Sequence, residues 1–83
     1  MRYGLTIENQ NFVIDKAKEK ADGIYSCRGV MYRVRNKKVT HFACCDSGSI
    51  VQGFGHFNVS VGHVETGMGW ADRARKVLKT VKD

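Results

Sequence analysis

The sequence predicts an α+β fold, a two-layer sandwich with the chain order helix, three or four antiparallel strands, helix. Apolar residues recur with helical spacing near both ends of the chain, and they alternate with polar residues in the middle. Both helices are expected on one sheet face, which leaves the other face to solvent or to a partner. Because 83 residues have room for one hydrophobic core, residues 1–83 are expected to form a single domain.

The first helix is predicted over residues 10–22. Its apolar positions recur at intervals of four: Val13, Ala17 and Ala21. Asn9 or Asn11 is expected to cap its start, and Gly23 to follow its end in a left-handed conformation. The preceding stretch "RYGLTI", residues 2–7, is compatible with a short strand.

The middle of the chain predicts strands. Residues 23–35 form either one strand broken at Gly29 or two short ones, because an isolated glycine often marks a bulge. Further strands are predicted at residues 38–45, 49–54 and 55–64. The last has the clearest alternation, with apolar residues at every second position: Phe57, Val59 and Val61.

The second helix is predicted from Trp70 to the end of the chain. Its apolar residues recur at i, i+1, i+4, i+7, i+8 and i+11, which is typical of a helix that packs one face onto a core. Asp72 lies in the first predicted turn and Lys79 in the last, and each has the sign that the helix dipole favours there.

The charge balance favours an anionic partner. The net charge of +6 attracts nucleic acid, an acidic protein face or anionic lipid. No apolar run approaches the ~20 residues that span a bilayer, and the N-terminus lacks a signal-peptide core, so no membrane association is expected. Three cysteines fit poorly with a secreted disulfide framework, and we expect a reduced, cytoplasmic protein.

Residues 29–45 predict a hairpin about a two-residue turn at Asn36–Lys37. Three pairs would then share the core side: Val34 with Val39, Tyr32 with His41, and Val30 with Ala43. The opposite side would carry a basic stripe and two apolar residues: Arg33, Arg35, Lys38, Thr40, Met31 and Phe42. Such a stripe suits a phosphate backbone with a packed or stacked base. The alternative is that these cations are simply the solvated side of a sheet.

The second helix supplies another basic surface, and the two surfaces together favour RNA. The sequence lacks zinc-finger and helix-turn-helix spacing, whereas structured or double-stranded RNA can be bound through phosphate and shape. The predicted RNA-binding residues are Arg28, Arg33, Arg35, Lys37, Lys38, Arg73, Arg75, Lys76 and Lys79. The candidates for base stacking are Phe42 and Phe54. The order helix, strands, helix is similar to that of double-stranded-RNA-binding domains.

No metal site, cofactor or catalytic residue is predicted, and we expect a protein that is not an enzyme. Ligand types are present at Cys27, His41, Cys44, Cys45, His56 and His63, but no CxxC knuckle occurs. Two alternatives stay open: a Cys45 thiol activated by His56 or His63, and a small metal-free nuclease around His41. A chain of this size offers either one little room for a walled pocket.

The proline-free composition and the lysine-rich segments "KAKEKAD" and "ARKVLKTVKD" resemble the small accessory proteins made early by large lytic tailed bacteriophages. That resemblance implies a protein that works in the host cytoplasm by stoichiometric binding, as does a basic RNA-binding inhibitor of a toxin–antitoxin ribonuclease system. The alternative is an inhibitor that docks on an acidic protein, for example by adding an edge strand to its sheet. Homo-oligomerisation also stays open, because so small a core gives modest stability.

Overall fold

The computed structural model describes residues 6–54 and 57–81, which form two helices and one five-stranded antiparallel sheet. The elements are α1 (Ile7–Ala17), β1 (Gly23–Cys27), β2 (Val30–Arg35), β3 (Lys38–Cys44), β4 (Ser49–Phe54), β5 (Phe57–His63) and α2 (Trp70–Thr80). The strands lie side by side in chain order, from β1 to β5. The α+β class is confirmed, but the prediction of three or four strands is wrong.

Helix α1 begins and ends earlier than predicted. Thr6 is the N-cap, because its Oγ1 accepts a hydrogen bond from the backbone N–H of Asn9 at 3.1 Å. Asn9 is therefore a donor in the first turn rather than the cap. Gly23 does not end the helix either, since it is the first residue of β1. Of the stretch predicted as a strand, Thr6 and Ile7 belong to the start of α1, and residues 2–5 lie outside the described part.

Two tight turns shape the first three strands. Arg28 and Gly29 join β1 to β2 with φ of 52° and 74°, and Asn36 and Lys37 join β2 to β3 with φ of 53° and 62°. Two consecutive positive φ angles are the signature of the type I′ turn, whose twist matches that of the flanking strands. Residues 23–35 are therefore two strands, and the predicted turn at Asn36–Lys37 is confirmed.

The β2–β3 register contains a bulge that the sequence did not predict. Val34 lies opposite Val39 as expected, but the register then shifts, so that Arg33 lies opposite His41 and Tyr32 opposite Phe42. The other two predicted pairs are wrong, since Val30 lies opposite Cys44 and Met31 opposite Ala43. One extra residue on β3 moves every later side chain of that strand to the other face.

The core has two parts, one on each face of the sheet. The α1-side cluster consists of Val13, Ala17, Val30, Tyr32, Val34, Val39 and Phe42. The α2-side cluster consists of Met31, Ala43, Ile50, Val64, Ala74 and Leu78. Because successive strand residues point to opposite faces, the helices pack against opposite faces of β2. The expectation that both helices share one face is not confirmed, and Val30–Val34 of β2 are buried throughout.

The helices cover strands β1 to β3 and leave the β5 edge of the sheet more exposed. Helix α2 packs against β1, β2 and β3, and α1 packs against β2 and β3. At the far edge, Val59 and Val61 of β5 are 63% and 46% exposed. The alternation in residues 55–64 thus predicts the strand correctly without predicting burial of its apolar residues. Strand β4 lies where the sequence places it. Helix α2 begins at Trp70 as predicted but ends at Thr80, because Val81 has an extended backbone.

Candidate nucleic-acid interface

Two of the predicted RNA-binding residues lie inside the protein. Arg33 is 4% exposed, and its Nη1 donates a hydrogen bond of 2.9 Å to the backbone carbonyl of Val81, just after α2. Phe42 is fully buried in the α1-side cluster. Neither side chain is at the surface as the predicted stripe requires, because a helix covers each face of the hairpin. Tyr32 faces the core as expected, and burial raises the pKa of its phenol.

Arg73 has a structural role at the start of α2. Its Nε and Nη2 donate hydrogen bonds to the Glu65 carbonyl at 3.3 and 2.9 Å, and its Nη1 donates to the Met68 carbonyl at 2.9 Å. These bonds tie the connection between β5 and α2 to the first turns of the helix. The prediction that Arg73 binds phosphate is not supported, because its donors already have backbone acceptors.

Arg28 and Arg75 are exposed and partly compensated. The Arg28 guanidinium lies 3.9 Å from the centre of the Phe12 ring, and its Nη1 lies 3.8 Å from a Glu8 carboxylate oxygen. Arg75 has an ion pair of 3.4 Å with Asp72, one helical turn before it. Surface pairs of this kind contribute little to stability, and both residues keep a cation at the surface.

The remaining predicted cations are exposed, and two of them form the tip of the β2–β3 hairpin. Lys37 and Lys38 are both exposed, and no carboxylate of the described residues forms an ion pair with either. Arg35 is also exposed on the strand that leads into the turn. Lys76 and Lys79 lie on the exposed side of α2. The side chain of Phe54, the second stacking candidate, lies outside the described part of the structure.

A cleft of about 390 Å³ lies beside the hairpin turn, between α1 and the start of β3. It is lined by Ile14, Lys18, Lys37, Lys38 and Val39. We call this cleft and its three lysines the hairpin pole. Lys18 was not among the predicted residues. Its spacing of four from Ile14 places both on one helix face, but only the packing of α1 on the hairpin brings Lys18 to Lys37 and Lys38.

Helix α1 ends at the hairpin pole, whereas α2 ends on the other face of the sheet. The last turn of α1 lines the cleft, and the chain after α2 accepts the hydrogen bond from Arg33, two residues before Arg35 on β2. The C-terminal end of a helix carries a partial negative charge, which stabilises nearby cations. Lys79 lies in the last turn of α2, but α2 is on the other face of the sheet from the cleft. The two predicted basic surfaces therefore do not form one continuous face.

The cysteines and histidines of residues 6–54 and 57–81 form no candidate metal site. Cys27, Cys44 and Cys45 are free thiols, and His, Cys and acidic side chains form no group of three that could hold a metal ion. Burial raises the pKa of the Cys45 thiol, and so does its contact with Asp46, whose carboxylate lies 3.5 Å from Sγ. This is the opposite of the change that activates a nucleophilic cysteine. His41 is buried, and His56 lies outside the described residues.

No family model, curated protein or solved structure matches this chain. The resemblance to phage accessory proteins therefore stays a prediction. Neither described helix, α1 or α2, is long and apolar enough to cross a bilayer.

The distribution of charge along the chain separates two halves of the molecule. All fourteen Lys and Arg residues lie within residues 1–38 and 73–83, and residues 39–72 contain none. The segment without Lys or Arg, whose charged residues are Asp46, Glu65 and Asp72, includes β4 and β5. The basic segments include β1, β2, α1 and most of α2. The sequence shows this division by itself, but only the strand order shows that the uncharged strands lie together at one edge.

Proposed function

We propose that this chain is a small basic RNA-binding protein that acts by stoichiometric binding, with the hairpin pole as its main contact. The observation that carries the proposal is the arrangement of Lys18, Lys37 and Lys38 around an apolar cleft. Exposed lysines bind phosphates as point charges and give affinity that does not depend on sequence. The cleft beside them has room for one base or sugar, and its volume is within the range of small-ligand sites.

Structured RNA is the ligand that this surface fits best. The three lysines bear no planar amide or guanidinium group for reading base edges, so recognition depends on phosphate position and shape. Arg75, Lys76 and Lys79 on α2 are secondary contacts for a ligand long enough to reach around the sheet. Together with its resemblance to phage accessory proteins, this favours inhibition of a toxin–antitoxin ribonuclease system by capture of its RNA.

Lys37→Gly is the sharpest test, because it removes a cation and at the same time removes the conformational strain of a positive φ angle at that residue. Lys37 has a φ of 62°, a conformation that costs a residue with a Cβ about 1 kcal/mol and costs glycine little. The resulting Asn-Gly pair is the preferred type I′ turn. We expect the variant to unfold at a higher temperature yet bind structured RNA about fivefold more weakly, with a salt dependence lowered by about one phosphate contact.

Lys76→Ala is the comparison variant. It removes one exposed charge from the secondary surface on α2 and introduces the best helix former, so stability should be kept or raised and affinity should fall by less than in Lys37→Gly. Affinity would be measured for nuclease-treated protein with structured RNA, duplex DNA and single-stranded DNA across a salt series. The hairpin pole is the wrong site if both variants lose affinity equally. The whole proposal fails if the wild-type chain binds no RNA at low salt, and an acidic protein then becomes the partner to seek.

A further inference from the structure

Strand β5 presents an edge without the features that usually protect one. It is the last strand of the sheet, and no other described strand pairs with its outer side. Its seven residues, "FNVSVGH", contain no lysine, glutamate or proline, and the side chains of Val59 and Val61 are both exposed. Exposed edges are normally blocked by such charged residues or prolines, because a row of unpaired N–H and C=O groups accepts a further strand.

At the opposite edge of the sheet, the side chains of β1 are more covered than those of β5. Strand β1 has five residues, and both of its faces are covered, since Ile24 packs on the α2-side cluster and Tyr25 on the α1-side cluster. The turn after it carries Arg28, which stacks on Phe12 of α1. No described strand pairs with the outer side of β1 either, so the two edges differ in the exposure of their side chains and not in pairing.

We propose that β5 pairs with β5 of a second copy of the chain, antiparallel and about a twofold axis near Val59. Antiparallel pairing of identical strands is self-complementary, so one surface serves both copies. The bulge opposite Val51 of β4 makes Val61 the extra residue of β5, and the regular ladder then comprises residues 57–60. Such a contact continues the sheet from one copy into the next and covers Val59 of each.

The charge distribution favours a second copy of the chain as the partner of the β5 edge. Each chain carries +6, so two copies repel unless their contact keeps the cations apart. Pairing through β5, which contains no Lys, Arg, Asp or Glu, joins the two halves that lack Lys and Arg and places the basic halves at opposite ends of the extended sheet. An acidic protein, in contrast, would be drawn to the lysines and arginines rather than to residues 39–72, where none occurs. The inference is independent of the RNA proposal, because no cation takes part.

Sedimentation of nuclease-treated protein over a range of concentration and salt tests the dimer. Added salt screens the repulsion between the basic halves, so association is expected to strengthen with salt. RNA binding has the opposite salt dependence, so the two proposals can fail separately. A wild-type chain that stays monomeric at every concentration and salt would overturn the pairing and leave the β5 edge to a partner of different sequence.

A matched pair of variants locates the contact. Val59→Lys places like charges close together across the twofold axis and is expected to weaken association about tenfold. Met68→Lys makes the same exchange at a side chain that is 97% exposed in the connection before α2, and it is expected to leave association unchanged. Equal effects of the two substitutions would refute the assignment to β5. Hydrogen exchange of the wild-type chain gives a second readout, since amides of residues 57–60 should slow as concentration rises.

Discussion

The β2–β3 and β4–β5 hairpins have the same construction but different support. Each is antiparallel and each contains one register shift. The first has a helix on both faces and ends in Lys37 and Lys38, whereas the second has exposed valines and no Lys or Arg. The difference shows that the exposed lysines have the firmest support at the tip of the β2–β3 hairpin, because helices pack on both faces of its strands. The less covered hairpin is left for contacts that need only backbone and apolar groups.

The largest expected effect tests the difference in support directly. Phe42→Ala removes a fully buried ring from the α1-side cluster and should lower the free energy of unfolding by about 3–5 kcal/mol. Val59→Ala should change it by less than about 0.5 kcal/mol in dilute solution, because that side chain is mostly exposed. Urea unfolding measures both, with Phe42→Leu as a milder variant if the alanine variant does not fold. Similar losses at both positions would show that the two hairpins are equally supported.

The next effect separates two arginines on one strand. Arg33→Ala removes a buried side chain and its hydrogen bond to Val81, and should cost about 1–3 kcal/mol of stability. Arg35→Ala changes an exposed residue and should cost less than about 0.5 kcal/mol. Chemical denaturation measures the costs, and RNA binding of the folded variants gives the complementary result. If the Arg33→Ala variant is as stable as the wild type but binds RNA more weakly, Arg33 contacts RNA and its burial in the fold is not its main role.

Alkaline pH should have a smaller effect on stability, through Tyr32 in the β2–β3 hairpin. The pKa of the Tyr32 phenol is raised chiefly by burial, and further by the negative charges of Cys27 and Tyr25. The folded chain then keeps this proton at a pH where the unfolded chain loses it, so stability present below pH ~10 is lost as pH rises above that value. Tyr32→Phe should flatten the decline in unfolding free energy over that range. An identical decline in both proteins would remove Tyr32 as its source.

The smallest expected effect concerns a thiol at the connection between the two hairpins. Asp46→Asn removes the carboxylate beside Cys45, so the thiol pKa should fall and the thiolate fraction at mildly alkaline pH should rise. Alkylation of Cys45, followed by mass spectrometry of its peptide, should become about two- to threefold faster. Labelling of Cys27 in the same sample is the internal control. An unchanged rate at Cys45 would leave burial as the main cause of the raised pKa.

Local signals in the sequence predicted most elements, and tertiary packing decided where they were wrong. The start of α2, strand β4 and the turn at Asn36–Lys37 follow from spacing and turn chemistry, and they lie where predicted. The bulge in β2–β3 has no such signal, since Thr40 suits a regular strand as well as a bulged one. That one residue reversed the expected faces of His41 and Phe42.

The candidate site was predictable only in part. The exposure of Lys37 and Lys38 follows from their position at a turn. The burial of Arg33 does not, because arginines on alternate strand positions usually point to water and only α2 docking encloses this one. Lys18 joins the site through the contact of α1 with the hairpin, which no spacing along the chain encodes.

The strictly sequential strand order sets the order in which the molecule can form. Each strand pairs with the one made just before it, so early contacts have little loop-closure cost and folding should be fast for a sheet protein. The α1-side cluster is complete once residue 42 has left the ribosome, whereas Arg33 must wait for Val81, 48 residues further along. A nascent chain can therefore pack the α1 face of the sheet while the α2 face is still exposed to water. Docking of α2 is the late step that takes the Arg33 charge out of water.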